Sequence, residues 1–586
     1  MHRVRAASFV LTAILLAGCG GGGGGRGTPP PPPPDTFTVG GSVSGLAGLG
    51  LVLRNNGGND LSVAADGTFV FTTALASGAG YAVTVQTQPA GPTQECIVAN
   101  DTGTIAAANV TNMTVSCTTR SFRIAGSVAG IAGAGLQLRD VAGTVVPISG
   151  NGAFEFPGLV LSGTPYFVSV VSQPNTPTQY CAIANPAGLV GGADTAIDVL
   201  CNSGAARFVY VPDFLATGIY GIDVDGAGML SGIAGSPFPT GASPAGIVTT
   251  PSGAFLYVRN ADGTVSGYSV NAATGALSAL AGSPFTVTGQ ANSLLQTALD
   301  PSGRFLYVLT SGTSMIHAFA VADTGELIPI SGSPFPAQSA TGWIGFDPLG
   351  RFLYGVSNTV GASAYRIDAA TGSLTEVGTP IAGATGVPRG VVHPSGTLLY
   401  VAHETSNIVD AYTVDTATGQ LQSAGSVSAA SNQQTAPRID ALGRFLYVPS
   451  AGGGVAGFAI SQGTGVLSAI NGSPFLAGGN VGQIDIDPTG RFLYAPLRQG
   501  DTVAAFEINP TTGELSQILG APYPLGPNSS PNAVRVDASG TSLFVAAFGS
   551  DLVWKFTIDG TTGELTFADN EPAGTNAASL TLVGTQ

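Results

Sequence analysis

The stretch Arg304-Phe305-Leu306-Tyr307-Val308 is followed by Met315-Ile316-His317-Ala318-Phe319-Ala320-Val321 and then by Thr324-Gly325-Glu326-Leu327. Each apolar run is short and rich in aromatic and β-branched residues, and a glycine turn bounds it, which reads as strands rather than helix. The aromatic of the first run recurs at Tyr210, Tyr257, Tyr307, Tyr354, Tyr400, Tyr447, Tyr494 and Phe544, at intervals of 47, 50, 47, 46, 47, 47 and 50. The Thr-Gly-x-Leu turn recurs at 274, 371, 418, 464, 512 and 562, and Gly-Ser-Pro-Phe recurs at 235, 282, 332 and 472. Several short strands repeating at such a period predict the blades of a β-propeller.

Eight aromatic strands predict eight blades, with seven as the alternative. The first unit lacks the strand that ends in an Asp-Pro-Ser-Gly-type turn elsewhere. The segment Ala578-Ser-Leu-Thr-Leu-Val583 can supply it beside the first blade. Such a seam would close the ring and remove two exposed sheet edges.

Ahead of the ring, residues 37–119 and 120–203 repeat one another. Phe37, Gly41, Gly67, Phe69 and Cys96 return as Phe122, Gly126, Gly152, Phe154 and Cys181. Tyr81-Ala-Val-Thr-Val-Gln alternates as a half-buried strand does, and Asp66-Gly67 and Asn151-Gly152 read as hairpin turns. Each copy is expected to be a small β-sandwich. Four cysteines allow three connectivities, and the repetition favours Cys96–Cys117 and Cys181–Cys201. The expected class is all-β: two sandwiches, then a propeller over 204–586.

Composition narrows the function. Only 9% of the 586 residues are charged, the net charge is −15, Lys555 is the sole lysine, and no basic cluster exists. That excludes nucleic acid as a natural partner. At the N-terminus, Arg3 and Arg5 precede an apolar core, Ala6 to Ala17, too short for a stable membrane span. Leu16-Ala17-Gly18-Cys19 resembles the lipobox of bacterial lipoproteins. The resemblance implies a signal peptide over 1–18, a lipidated Cys19, and a cell-envelope location. Gly20 after the cysteine implies the outer membrane. Gly20 to Gly25 and Pro29 to Pro34 then form a tether over 19–36, flexible first and polyproline-stiff after.

The repeated units resemble the propeller lactonase family, which includes 6-phosphogluconolactonases and carboxymuconate cyclases. That family usually has seven blades and a Pro-Arg-His…His-Pro segment, followed by Asn-Glu after the next aromatic strand. Here the chain reads Pro388-Arg389-Gly390-Val391-Val392-His393-Pro394 and then Tyr400-Val401-Ala402-His403-Glu404. Arg389 and Glu404 match the family's arginine and glutamate. Gly390 stands where the histidine is expected, and His403 replaces the asparagine and could stand in for it. In the column four residues past each aromatic, only Glu404 and Arg498 are charged. The resemblance implies hydrolysis of a lactone, and the chemistry of that step would use Glu404 or His403 as base and Arg389 at the oxyanion, with Arg438 or Arg498 binding a substrate carboxylate. His393 and the aspartates in its repeat slot read as turn residues. No cofactor or metal is implied, and the alternative is a non-catalytic platform for a ligand or envelope partner.

Overall fold

The computed structural model describes residues 34–586 apart from 141, 173, 175–179, 184–186, 203–204, 216, 288–293, 311–313, 430–435, 451, 575–578 and 585–586. The leader, Cys19 and most of the tether lie outside the described residues. Within them the structure is strands and turns, without a helix.

Residues up to 118, apart from 91–93, form one compact unit, and 91–93 with the rest of the chain form a second. The first unit faces one four-stranded sheet (Gly67–Val70, Val39–Ser44, Val110–Thr119, Gln94–Ala99) with another (Asn59–Val63, Leu51–Asn55, Gly80–Thr87, Thr102–Thr104). Alternating residues from both sheets, among them Val39, Leu51, Leu53, Phe71, Met113 and Val115, make its core. Gly41 is required there, because a Cβ would lie 2.1 Å from the Met113 carbonyl oxygen. The same sandwich recurs in the second unit, with Gly126 under the Ile197 carbonyl. Disulfides join Cys96 to Cys117 and Cys181 to Cys201, as the repetition favoured.

The expected hairpin turns differ. The strands flanking Asp66-Gly67 belong to opposite sheets, so the chain arches across the sandwich there. Asp66 accepts the N–H groups of Gly45 and Leu46, and Asn151 accepts that of Ile131. These side chains cap a neighbouring loop rather than tighten a two-residue turn.

From Ala206 the chain builds eight sheets, three of four strands and five in which the outermost strand is split into two short ones. Blade 5 is typical: Pro388–Val392 innermost, then Leu398–His403, Ile408–Val414 and Leu421–Ser428. The sequence unit straddles two blades, since the strand after each Gly-Ser-Pro-Phe segment becomes the innermost strand of the next. Blade 1 takes its innermost strand from Thr581–Gly584, which pairs antiparallel with Ala206–Asp213. The predicted seam is therefore formed. Every successive blade pair shares an apolar layer, and the last joins Ala533, Phe544 and Ala546 of blade 8 to Val209, Val211 and Leu580 of blade 1. The eight layers close a ring.

The repeated aromatic explains the period. Its ring is fully buried between blades, and its hydroxyl donates to the turn glycine of the following blade. The pairs are Tyr210–Gly275, Tyr257–Gly325, Tyr307–Gly372, Tyr400–Gly465, Tyr447–Gly513 and Tyr494–Gly563, at 2.5–3.0 Å. Two exceptions stand out: Tyr354 is buried with its hydroxyl unpartnered, and Phe544 has none. Desolvation raises the pKa of these phenols, so they remain hydrogen-bond donors.

A contrast tests this pin. Tyr307→Phe leaves the Gly372 carbonyl without its donor and is expected to cost about 1–2 kcal/mol in denaturant unfolding. Tyr354→Phe removes an unpaired hydroxyl and is expected to be neutral or stabilising. Equal losses for both would show that the hydroxyl bond is not what matters. Deleting residues 580–586 exposes the edge of Ala206–Asp213 and is expected to lower the melting temperature and promote association, read by calorimetry and light scattering.

Candidate functional site at the open end of the ring

The two ends of the ring differ in polar accounting. At the turn end, the buried aspartates hold their own turns, and Asp537 also reaches Ala206 of blade 1. Asp347 Oδ1 accepts the N–H groups of Arg351 and Phe352 at 2.6 and 2.8 Å, and Oδ2 meets Arg351 Nε at 3.0 Å. His393 fills the same slot, with Nδ1 2.7 Å from Ser395 Oγ and Nε2 2.8 Å from the Gly443 carbonyl. Burial lowers its pKa, so the neutral ring is favoured. Both residue types serve the turn, as the sequence indicated.

At the opposite end, buried polar atoms lack protein partners: Asn260 Oδ1, Asn358 Oδ1, Ser406 Oγ, Asn407 Oδ1, Asn480 Oδ1 and Ser550 Oγ. Buried polar groups are nearly always bonded, so this concentration marks the end built to meet water or a ligand.

Three of the expected residues lie at this mouth. Arg389 is the second residue of the innermost strand of blade 5 and stands opposite Ala402. Glu404 follows the neighbouring strand, and its N–H donates to the Val387 carbonyl at 3.0 Å. Arg498 leaves blade 7, with its N–H on the Asn480 carbonyl at 2.9 Å. Burial lowers the Arg498 pKa, and the Glu404 carboxylate opposes that shift, so the two charges lie within electrostatic reach of each other. Arg438 sits elsewhere. It stands opposite Tyr447, whereas Arg389 lies opposite a residue two past its aromatic, which puts Arg438 about 7 Å deeper along the strand direction. Its Nε is 3.4 Å from Asp485 Oδ1.

His403 ends the strand beside Glu404, and its Nδ1 is a further buried atom without a protein partner. The residue is fully buried, and its Nε2 lies 3.0 Å from Asp410 Oδ2, which also accepts the Ala384 N–H at 2.7 Å. Blade 2 repeats the scheme with other residues: Asn260 Nδ2 donates to Ser266 Oγ at 2.8 Å, and Ser266 Oγ accepts the Gly241 N–H at 3.1 Å. The His403–Asp410 pair thus pins the incoming loop to its blade. Gly390 has a steric reason too. A Cβ there would lie 2.6 Å from the Trp343 indole, which covers the position from blade 4.

Sequence reasoning missed a charged group deeper in the ring. Asp485 and Arg535 stand opposite Tyr494 and Phe544, level with Arg438 in consecutive blades. Asp485 accepts the Val536 N–H at 3.0 Å, and an Arg535 N–H donates to Gln483 Oε1 at 3.3 Å. Burial, with Arg438 nearby, pushes the Arg535 pKa down to about 10, while Asp485 opposes the shift. The signal was available two residues before each turn residue. That column reads Val248, Ala298, Gly345, Val391, Arg438, Asp485 and Arg535. Among the described residues no group of three or more His, Cys, Asp or Glu side chains is placed to hold a metal ion.

A family model described as "Lactonase, 7-bladed beta-propeller" matches residues 201–388 and 365–525, together more than half of the chain. Similar solved structures include a candidate 6-phosphogluconolactonase of Bacteroides fragilis, 18% identical, covering 65% of this chain and 99% of its own, with a TM-score of 0.42. Another is the Pseudomonas aeruginosa periplasmic gluconolactonase PpgL, 18% identical, covering 56% of this chain and 99% of its own, also at 0.42. No curated protein sequence matches the chain. The family match stops before the first strand of blade 8, Pro531–Val536. The chain therefore belongs to the lactonase family of β-propellers, in a ring of eight sheets.

Proposed function

We propose that the chain is an envelope-anchored lipoprotein whose propeller hydrolyses a sugar-type lactone at the open mouth. The observation that carries this reading is the presence of Arg389, Glu404 and Arg498 at the end of the ring where buried acceptors lack partners. Glu404 takes a proton from water as the oxygen attacks the lactone carbonyl. Arg389 faces the tetrahedral oxyanion. The ring C–O bond then breaks, and Glu404 returns the proton to the leaving alkoxide, giving a hydroxy acid. The amide oxygens of Asn358, Asn407 and Asn480 are acceptors suited to ligand hydroxyl groups. Deeper in the ring, two arginines outnumber one aspartate at Arg438, Asp485 and Arg535, which favours an acidic substituent on the ligand.

A second reading, a non-catalytic binding platform, draws support from Gly390 beneath Trp343 and from His403 being held by Asp410. Hydrolysis of a panel of aldonolactones decides between them. Glu404→Gln is expected to lower kcat by about 10²-fold or more. His403→Asn, which copies the blade 2 pin, is expected to stay within a few-fold of wild type. Equal rates for wild type and Glu404→Gln would leave the platform standing.

Attachment is proposed through acyl chains on Cys19, each buried CH₂ contributing about 0.8 kcal/mol. Cys19→Ser is expected to lose incorporation of labelled fatty acid and to shift the chain from the membrane fraction to the soluble one. A chain that stays membrane-bound and unlabelled in both forms would overturn the anchor.

A further inference from the structure

The junction between blade 8 and blade 1 departs from its siblings at several positions at once. At five junctions an arginine before the aromatic strand lies over the ring of the next residue, 4.8–5.4 Å from its centroid: Arg207, Arg304, Arg351, Arg444 and Arg491. Each of these guanidinium groups donates to a turn carbonyl of the following blade, those of Ala273, Ala369, Thr416, Pro510 and Gly560 respectively. The stacked phenylalanine in turn packs beneath the turn glycine. At the seam these two residues are Thr541 and Ser542.

Their absence leaves a cleft of about 850 Å³, lined by Thr541, Ser542, Lys555, Asp225, Gly226 and Arg207 among others. Lys555 replaces part of the missing bulk. It stands opposite Phe544, where the other blades carry Gly or Ala, and its Nζ would lie 2.8 Å from a Cβ on Gly228. Asp537 and Asp569 act electrostatically on this ammonium, and both are tied to blade 1 by backbone N–H groups. Two carboxylates line the cleft itself: Asp223, whose Oδ1 lies 4.0 Å from Arg207 Nε, and Asp225, which also acts on Lys555. The lining thus balances two carboxylates against two cations, and Thr541 stands where five sibling junctions place a guanidinium against the next blade's turn. At the blade 5–blade 6 junction, where Thr397 also stands in for the arginine, the groove is lined by Arg139 from the second sandwich.

We propose that the seam cleft is a binding site for a guanidinium group, carried by a small molecule or by an arginine side chain of a partner polypeptide. The Gly226 carbonyl and the Asp225 carboxylate would receive its planar N–H donors, as the sibling turns receive theirs. This site lies at the turn end of the ring and is independent of lactone chemistry at the mouth.

Calorimetric titration of the full chain with N-acetylarginine amide, against the neutral isostere N-acetylcitrulline amide, tests the proposal. Arginine is expected to bind about tenfold more tightly than citrulline. Refilling the slot with Thr541→Arg/Ser542→Phe should abolish the binding while circular dichroism and melting temperature show an intact fold. Should that double variant fail to fold, Asp225→Asn decides, because it keeps the oxygen that caps its turn and loses only the charge. Equal binding of the two amides, or binding unchanged in the folded refill variant or in Asp225→Asn, would overturn the site. An arginine-containing tetrapeptide that binds more tightly than the amide assigns the group to a polypeptide, and equal affinity assigns it to the side chain alone.

Discussion

The tyrosine hydroxyl that reaches the next blade's turn glycine is the interaction on which the ring depends. It forces a residue that is apolar along its ring and polar at its tip into a fully buried layer, and it demands a carbonyl at a fixed place one blade away. The glycine follows, because a side chain there would run into the phenylalanine beneath the turn. The arginine over that phenylalanine completes the same corner. A single contact of about 1 kcal/mol would matter little alone, but repeated around a closed ring it sets the period, the turn and the strand length together.

Much of this architecture was legible in the chain. The aromatic period, the Thr-Gly turns and the unmatched strand near residue 580 led directly to eight sheets and to the seam, because periodicity and edge avoidance are local constraints with one global solution. The paired cysteines were legible for a similar reason. The Asp66-Gly67 turn was misread because a short polar link between two strands does not reveal whether those strands share a sheet.

The site was legible only in part. Glu404 and Arg389 stood out against a nearly uncharged repeat, and both lie at the open end. His403 stood out equally, yet its partner Asp410 is seven residues on, across a strand pair, where only the register makes them neighbours. The role shared with Asn260 and Ser266 emerges when hydrogen bonds, rather than residue types, are compared between blades. Arg535 and Asp485 were hidden because they lie on the innermost strands, whose sequences repeat least. Their charges share one sequence column, but only the strand pairing shows that this column lies at one depth in the ring.

The strand Thr581–Gly584, which completes blade 1, is joined to the chain some 370 residues after the strand it pairs with. Blade 1 must therefore wait, with one edge unpaired, until the other seven blades have been synthesised. A ring built this way cannot close until residues 581–584 have been synthesised. It also makes closure the last and least local step, so conditions that slow it would expose the edges of blades 1 and 8 before any other part of the molecule.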